Sequence, residues 1–169
     1  MSGSRKHRER RASRAQWFIV ATVIALIAVA VVRLAPARHE QPLVTVFMRS
    51  DCDSCRRWMR HLNASGFRTR AGHSDEWIAV RKDMKVPPGF DVRHHAVVQG
   101  LFIAGHVPAR DIHRSLRSPE RDAIRGLVVP GAPPGAPGIE AALKRPYMVF
   151  VVDARGLLRP WATHNHSVH

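Results

Sequence analysis

The stretch from Val44 to Cys55 constrains this chain more than any other. A run of β-branched and aromatic residues, Val44-Thr45-Val46-Phe47-Met48, leads into a Cys52-Asp53-Ser54-Cys55 turn that holds its only two cysteines. Such a run predicts a strand. The residues that follow, 54–62, place Trp58, Met59 and Leu62 at helical spacing and predict a helix. A strand that enters a helix through a dithiol turn suits an α/β sheet, which presents its sites at strand ends. Cys52 at that junction meets unpaired backbone N–H groups and the positive end of the helix dipole, both of which favour a thiolate. Arg49, Arg56 and Arg57 add positive charge that lowers a nearby thiol pKa further. A dithiol there suits redox exchange or the grip of a soft metal.

The first forty residues set the location. Arg5, Lys6, Arg8, Arg10, Arg11 and Arg14 precede an uncharged, mostly apolar run from Trp17 to Val32 that Arg33 closes. This is an export or membrane signal rather than part of a fold. Its sixteen residues span about 24 Å against roughly 30 Å of hydrocarbon, and a snorkelling Arg33 draws in Leu34 and Ala35. The basic segment and Trp17 at the near interface favour an uncleaved anchor with a cytoplasmic N-terminus. Ala35-Pro36-Ala37 imitates a cleavage site, so a signal peptide stays open as the alternative. The expectation is an inner-membrane protein whose domain faces the periplasm, or a periplasmic one if the segment is cleaved. Either way the cysteines lie where disulfides form.

The segments are then a basic stretch at 1–16, an anchor or signal peptide at 17–35, a linker at 36–42, one domain at 43–160 and a His-containing tail at 161–169. The chain has 27 basic and 13 acidic residues, with seven and one of these before residue 38. The arginines of the exported part are scattered and carry no aromatic-studded basic motif, so no nucleic-acid partner is expected.

Along the domain, the pattern predicts a strand at 43–49 and a helix at 54–64 that Gly66 ends in the left-handed C′ position. A weak strand at 67–71 and a helix at 75–84 with Asp75 and Glu76 in its first turn follow, and Val86-Pro87-Pro88-Gly89 breaks that helix. Strands at 96–98 and 101–104 flank a Gln99-Gly100 turn, and Pro108 opens a helix at 109–117. This order of βαβ, helix, ββα is a thioredoxin-like arrangement: an α/β mixed sheet with flanking helices, preceded by the N-terminal apolar helix. The segment 126–138, rich in Pro and Gly, reads as an ordered surface loop rather than a helix or an interior strand. Residues 147–152, the turn Asp153-Ala154-Arg155-Gly156 and Leu157-Leu158 read as a last hairpin.

Thiolate sulfur with imidazole nitrogen suits Cu(I) and Zn(II). Cys52 and Cys55 with His94 at the start of the neighbouring strand make a candidate Cys₂His site, with His95 as a fourth candidate. Strand alternation sends His94 and His95 to opposite faces, so one of them reaches the cysteines. His106, in a Gly-His-Val-Pro turn, supports the helix start or a metal's outer shell, or serves as a ligand. The two other readings of Cys52 and Cys55 are an inert disulfide and a catalytic redox pair. A four-residue loop gives a disulfide little to stabilise, and the absence of a Pro before Ala96 argues against general disulfide exchange. His164, His166 and His169 form either a secondary imidazole site or a solvated tail. No paired carboxylates, phosphate loop or Ser-His-Asp set is visible, so hydrolase or transferase chemistry is not indicated, and metal binding is favoured over an enzymatic role.

The order of Val44-Thr45-Val46, the cysteine turn, His61-Leu62, Gly66-Phe67, Val86-Pro87-Pro88, His94 before Ala96-Val97-Val98, Gly105-His106-Val107-Pro108-Ala109 and Gly126-Leu127-Val128-Val129-Pro130-Gly131 resembles the exported CopG-like proteins. That family is thioredoxin-like, is associated with bacterial copper resistance and is catalogued as a domain of unknown function. The likeness spans roughly residues 43–160. It implies copper as the metal, Cu(I) first, where the residues alone permit zinc equally, and periplasmic copper-handling proteins as partners. The departures fall on the chemistry. Ser54 takes the middle place of the family's Cys-x-Cys-Cys turn, Arg93 stands where a further cysteine precedes the histidine, and His95 replaces a usual Thr. Ala132 and Ile139 stand where relatives often carry Met. A multi-copper thiolate cluster therefore lacks half its thiols, and the resemblance leaves a smaller Cu(I) site, a membrane-anchored thiol–disulfide oxidoreductase, or a degenerate member that binds a partner.

Overall fold

Seven strands form a single mixed sheet in the order β2-β1-β3-β4-β5-β6-β7. They are β1 (Leu43–Met48), β2 (Arg68–His73), β3 (His94–Val98), β4 (Leu101–Ala104), β5 (Ile124–Val128), β6 (Tyr147–Asp153) and β7 (Leu158–His164), with helices α1 (Asp53–Ala64), α2 (Glu76–Asp83) and α3 (Ala109–Leu116). The computed structural model describes residues 17, 20–27, 41–86, 92 and 94–166, and the chain divides into two units, Met1–Glu40 and Gln41–His169. In the first unit, residues 20–27 are helical, and no helix among the described residues is long and apolar enough to cross a membrane. Most of the expected 17–35 span lies outside the described residues, as do Pro87, Pro88, Gly89 and Arg93.

β1 pairs in parallel with β2 and antiparallel with β3, and β4 pairs in parallel with β5. The remaining neighbours are antiparallel. The expected βαβ, helix, ββα order is present. From β1's direction, the last residues of β1, β4, β5 and β7 and the first residues of β3 and β6 lie at one end of the sheet. The CxxC turn follows β1 at that end.

The larger core cluster joins Val44 and Val46 of β1, Trp58 and Leu62 of α1, Ala96 and Val98 of β3, Leu101 and Ile103 of β4 and Ile112 of α3. Cys55, Trp58 and Leu62 line the buried side of α1. The Trp58 indole donates its Nε1–H to the Val107 carbonyl at 2.8 Å, and the Ala109 N–H donates to His61 Nε2 at 3.1 Å, so α1 holds the segment that starts α3. Truncation of a Trp so buried costs about 3–5 kcal/mol. α1 ends as expected, with Gly66 at φ +88° just past its C-cap Ser65. On the other face, Phe47, Trp77, Val86, Phe102 and Val128 form a smaller cluster.

Two expectations are corrected. Residues 126–128 are not loop but the second half of β5, an interior strand between β4 and β6. Gly126 is demanded there by a neighbour distant in sequence: a Cβ would sit 2.6 Å from the Phe102 ring and from its carbonyl oxygen. The Pro-Gly loop therefore begins at Val129. Nor does the domain stop at 160, because β7 continues through Trp161 to His164, opposite Tyr147 at the start of β6. Smaller shifts are that β2 starts at Arg68 and runs to His73, with Phe67 in the core, and that β3 starts at His94.

Substituting Gly126 with Ala forces β4 and β5 apart or displaces Phe102. The expected cost is about 1–3 kcal/mol, typical of overpacking, read as a lower urea midpoint at unchanged slope; an unchanged midpoint would contradict this packing.

Candidate metal centre

β1, β3, α1 and the segment before α3 bring Cys52, Cys55, His94 and His106 together at one end of the sheet. Cys52 and Cys55 are joined as a disulfide with Cα atoms 5.3 Å apart. Cys55, in the first turn of α1, is buried, whereas Cys52 is half-buried, with its Sγ 3.5 Å from the Ser54 hydroxyl. In this oxidised state no three His, Cys, Asp or Glu side chains among the described residues are arranged to hold a metal ion. Thiolates arise there only when the bond is reduced.

His94 reaches the pair as expected. Its Nδ1 lies 3.3 Å from Cys55 Sγ, and its ring packs 4.8 Å from Trp58. Its Nε2 lies 3.1 Å from the Gly105 carbonyl, an acceptor only, so Nε2 carries the proton and Nδ1 presents a lone pair to the sulfur. Burial pushes the imidazole pKa down to about 3, with His106 adding to the effect, so the ring is neutral at any ordinary pH. A neutral imidazole whose other nitrogen is held by a backbone carbonyl is the form that ligates metals.

His106 shares that form. Its Nδ1 donates to the Pro137 carbonyl at 2.8 Å, burial lowers its pKa, and its ring stands edge-on, 4.5 Å from that of His94. Its buried Nε2 has no hydrogen-bond partner among the described residues. A buried polar atom left so costs free energy unless something else completes it. The Pro-Gly loop delivers the Pro137 carbonyl and crosses α1 closely. At Gly138, φ is +83° and a Cβ would meet the Ser54 carbonyl at 2.6 Å.

His95 is corrected as a ligand candidate. It stands opposite Phe47 on the far face of the sheet, its ring stacked 4.3 Å from Trp77. Carboxylates engage the arginines around the turn: Arg49 pairs with Asp51 at 3.1 Å, Arg56 with Asp53, and Arg57 with Glu140 at 3.4 Å while donating to the Gly138 carbonyl.

Of the tail histidines, the two described ones, His164 and His166, do not assemble into a site. His164 is buried, its Nε2–H donates to Asp111 Oδ2 at 2.7 Å, and its Nδ1 accepts from Arg110 at 2.6 Å, so both nitrogens are committed. His166 is exposed and His169 lies outside the described residues. The Asp111–His164 pair and the Tyr147 ring stacked 4.9 Å from His164 fasten β7 to α3. No sequence signal marked Asp111 or Tyr147, since their partner comes from the far end of the chain.

The fold and the site define a mixed α/β protein with a disulfide-linked CxxC and two carbonyl-held imidazoles at one sheet end. Residues 92–139 match a family described as a protein of unknown function, DUF411. Two solved forms of copper resistance protein CopG each align with a TM-score of 0.66 and 30% identity over 74% of this chain, covering 99% and 98% of theirs. The chain belongs to the CopG-like copper-resistance family. No curated protein matches its sequence.

Two outcomes are expected. Brief alkylation of the reduced protein should label Cys52 well ahead of Cys55, read by peptide mass; equal labelling would contradict the burial of Cys55. Tyr147 is the only tyrosine. Burial chiefly, and Asp111 next, push its phenol from 10.0 up to about 12. Because the folded value is the higher one, the neutral form is favoured in the fold, and stability falls as pH rises from about 10 toward 12. Absorbance at the phenolate band should titrate near 12 in the native protein and near the ordinary value in denaturant.

Proposed function

We propose that this protein binds Cu(I) in copper handling or resistance, through the reduced Cys52 and Cys55 thiolates and His94 Nδ1, with His106 Nε2 as a candidate for the fourth place. The observation that carries this reading is the His94 lone pair, held by the Gly105 carbonyl and facing Cys55 Sγ at 3.3 Å. The orphaned Nε2 of His106 supports the fourth place. Kinship with copper resistance protein CopG favours copper, while the donor set of two thiolates and one or two imidazoles also suits zinc. Reduction of the disulfide precedes loading, since a disulfide sulfur is a poor ligand. The domain faces the periplasm, tethered by the apolar segment at 17–35 or freed by its cleavage, and exchanges copper with periplasmic copper-handling proteins. This placement rests on the sequence of the first forty residues and on the oxidised cysteine pair.

A thiol–disulfide oxidoreductase is the second reading, favoured by one observation: Cys52 is more exposed than Cys55, the asymmetry an attacking thiol requires.

Anaerobic Cu(I) titration of the reduced full chain against a competing chelator separates the two. The expected result is one-to-one binding that disappears in the Cys52→Ser/Cys55→Ser double variant and weakens at least about tenfold in His94→Ala. Binding no tighter than that of the double variant, with turnover of a disulfide substrate, would establish the oxidoreductase instead.

A further inference from the structure

Metal choice at this site is the unanswered part of its chemistry, because two thiolates and two imidazoles satisfy tetrahedral zinc as well as copper. We propose that the Met48 thioether, rather than His106, takes the fourth place when the metal is Cu(I) and thereby selects Cu(I) over Zn(II), an inference that rests on the copper reading above.

The register carries it. β1 pairs antiparallel with β3 so that Met48 stands directly opposite His94, and Phe47 opposite His95. Residues directly opposed across antiparallel strands share a face, with Cβ atoms roughly 4.5–5.5 Å apart. The other pair confirms the alternation: Phe47 and His95 both touch Trp77 on the far side. Met48 therefore lies on the side of α1, Cys55 and His94.

Its burial fits the role. Along this side of β1, Val44 and Val46 are fully buried, and Met48, the last strand residue before the CxxC turn, is half-buried. It packs against the cluster that contains Trp58, Val107 and Val129, the residues around His94 and the start of α3. An unbranched chain with three rotatable bonds lets the sulfur move toward the cysteines when their disulfide opens. On its other side Met48 faces His73 of the edge strand β2, which is exposed. A thioether has no proton to lose and no charge, and it is a soft donor that Cu(I) accepts. Zinc sites draw on thiolate, imidazole and carboxylate instead. Adding Met48 to the thiolates and His94 thus favours Cu(I) without strengthening a zinc site.

The test uses the reduced full chain labelled with selenomethionine and loaded anaerobically with Cu(I), read by X-ray absorption at the copper edge. A Cu–Se scattering path should appear and should vanish in Met48→Leu but persist in Met84→Leu, whose side chain packs on the opposite face. Met48→Leu nearly conserves volume and is expected to fold. Its Cu(I) affinity should fall at least about tenfold, with Zn(II) affinity unchanged. Copper bound through sulfur and nitrogen with no selenium neighbour would overturn the proposal and leave the copper reading intact. Equal losses for both metals in Met48→Leu would overturn it in favour of a packing role. Wild-type protein that binds Cu(I) no better than Cys52→Ser/Cys55→Ser would remove the copper reading, and this inference with it.

Discussion

The hydrogen bond from His94 Nε2–H to the Gly105 carbonyl is the constraint on which the centre depends. It fixes which nitrogen carries the proton, and so which one meets Cys55. Neither partner is free to choose otherwise. His94 opens β3 opposite the end of β1, and Gly105 follows β4 directly, its own N–H returning to the His94 carbonyl at 3.3 Å. The two strands of one hairpin thus hold the ring by its side chain and its backbone at once. In a buried setting a neutral imidazole costs far less than a charged one, so desolvation and hydrogen bonding agree on the same tautomer.

Around that bond the structure repeats one device, a side chain tied to backbone from an element distant in sequence. Trp58 reaches Val107, His106 reaches Pro137, Arg57 reaches Gly138, and the α3 N-terminus reaches His61. Each tie joins α1, the start of α3 or the Pro-Gly loop to another of the three. They form a frame around the Cys52–Cys55 disulfide that holds both neighbouring imidazoles through backbone carbonyls and would keep them in place if the bond were reduced.

What was legible in the sequence follows from how local its causes are. The strand before the CxxC, the amphipathic face of α1, the Gly66 stop and the Gln99-Gly100 hairpin all express short-range periodicity or turn chemistry, and each appears where it was expected. The opposite facing of His94 and His95 followed from strand alternation alone. β5 was hidden because Gly126 reads as a breaker, while its cause is the Phe102 side chain in another strand. The last hairpin was legible from its Asp153–Gly156 turn, but the run of β7 beyond Leu158 was hidden because Arg159 and Pro160 are exposed and do not alternate, its anchoring resting on His164 beneath α3. The accepting nitrogen of His106 was beyond reach for the same reason: Pro137, which takes its proton, belongs to a loop with no local mark of the contact.

The tandem of His94 and His95 has a consequence for fidelity. A slip of β3 by one residue against β1 would present an imidazole to the cysteines just the same, but from the wrong residue and with every other side chain of the strand reversed. Ala96 and Val98 would then turn out of the core and Val97 would turn into it. The choice between two neighbouring histidines is therefore made by small apolar residues farther along the strand, which act as proofreaders of a chemistry they never touch.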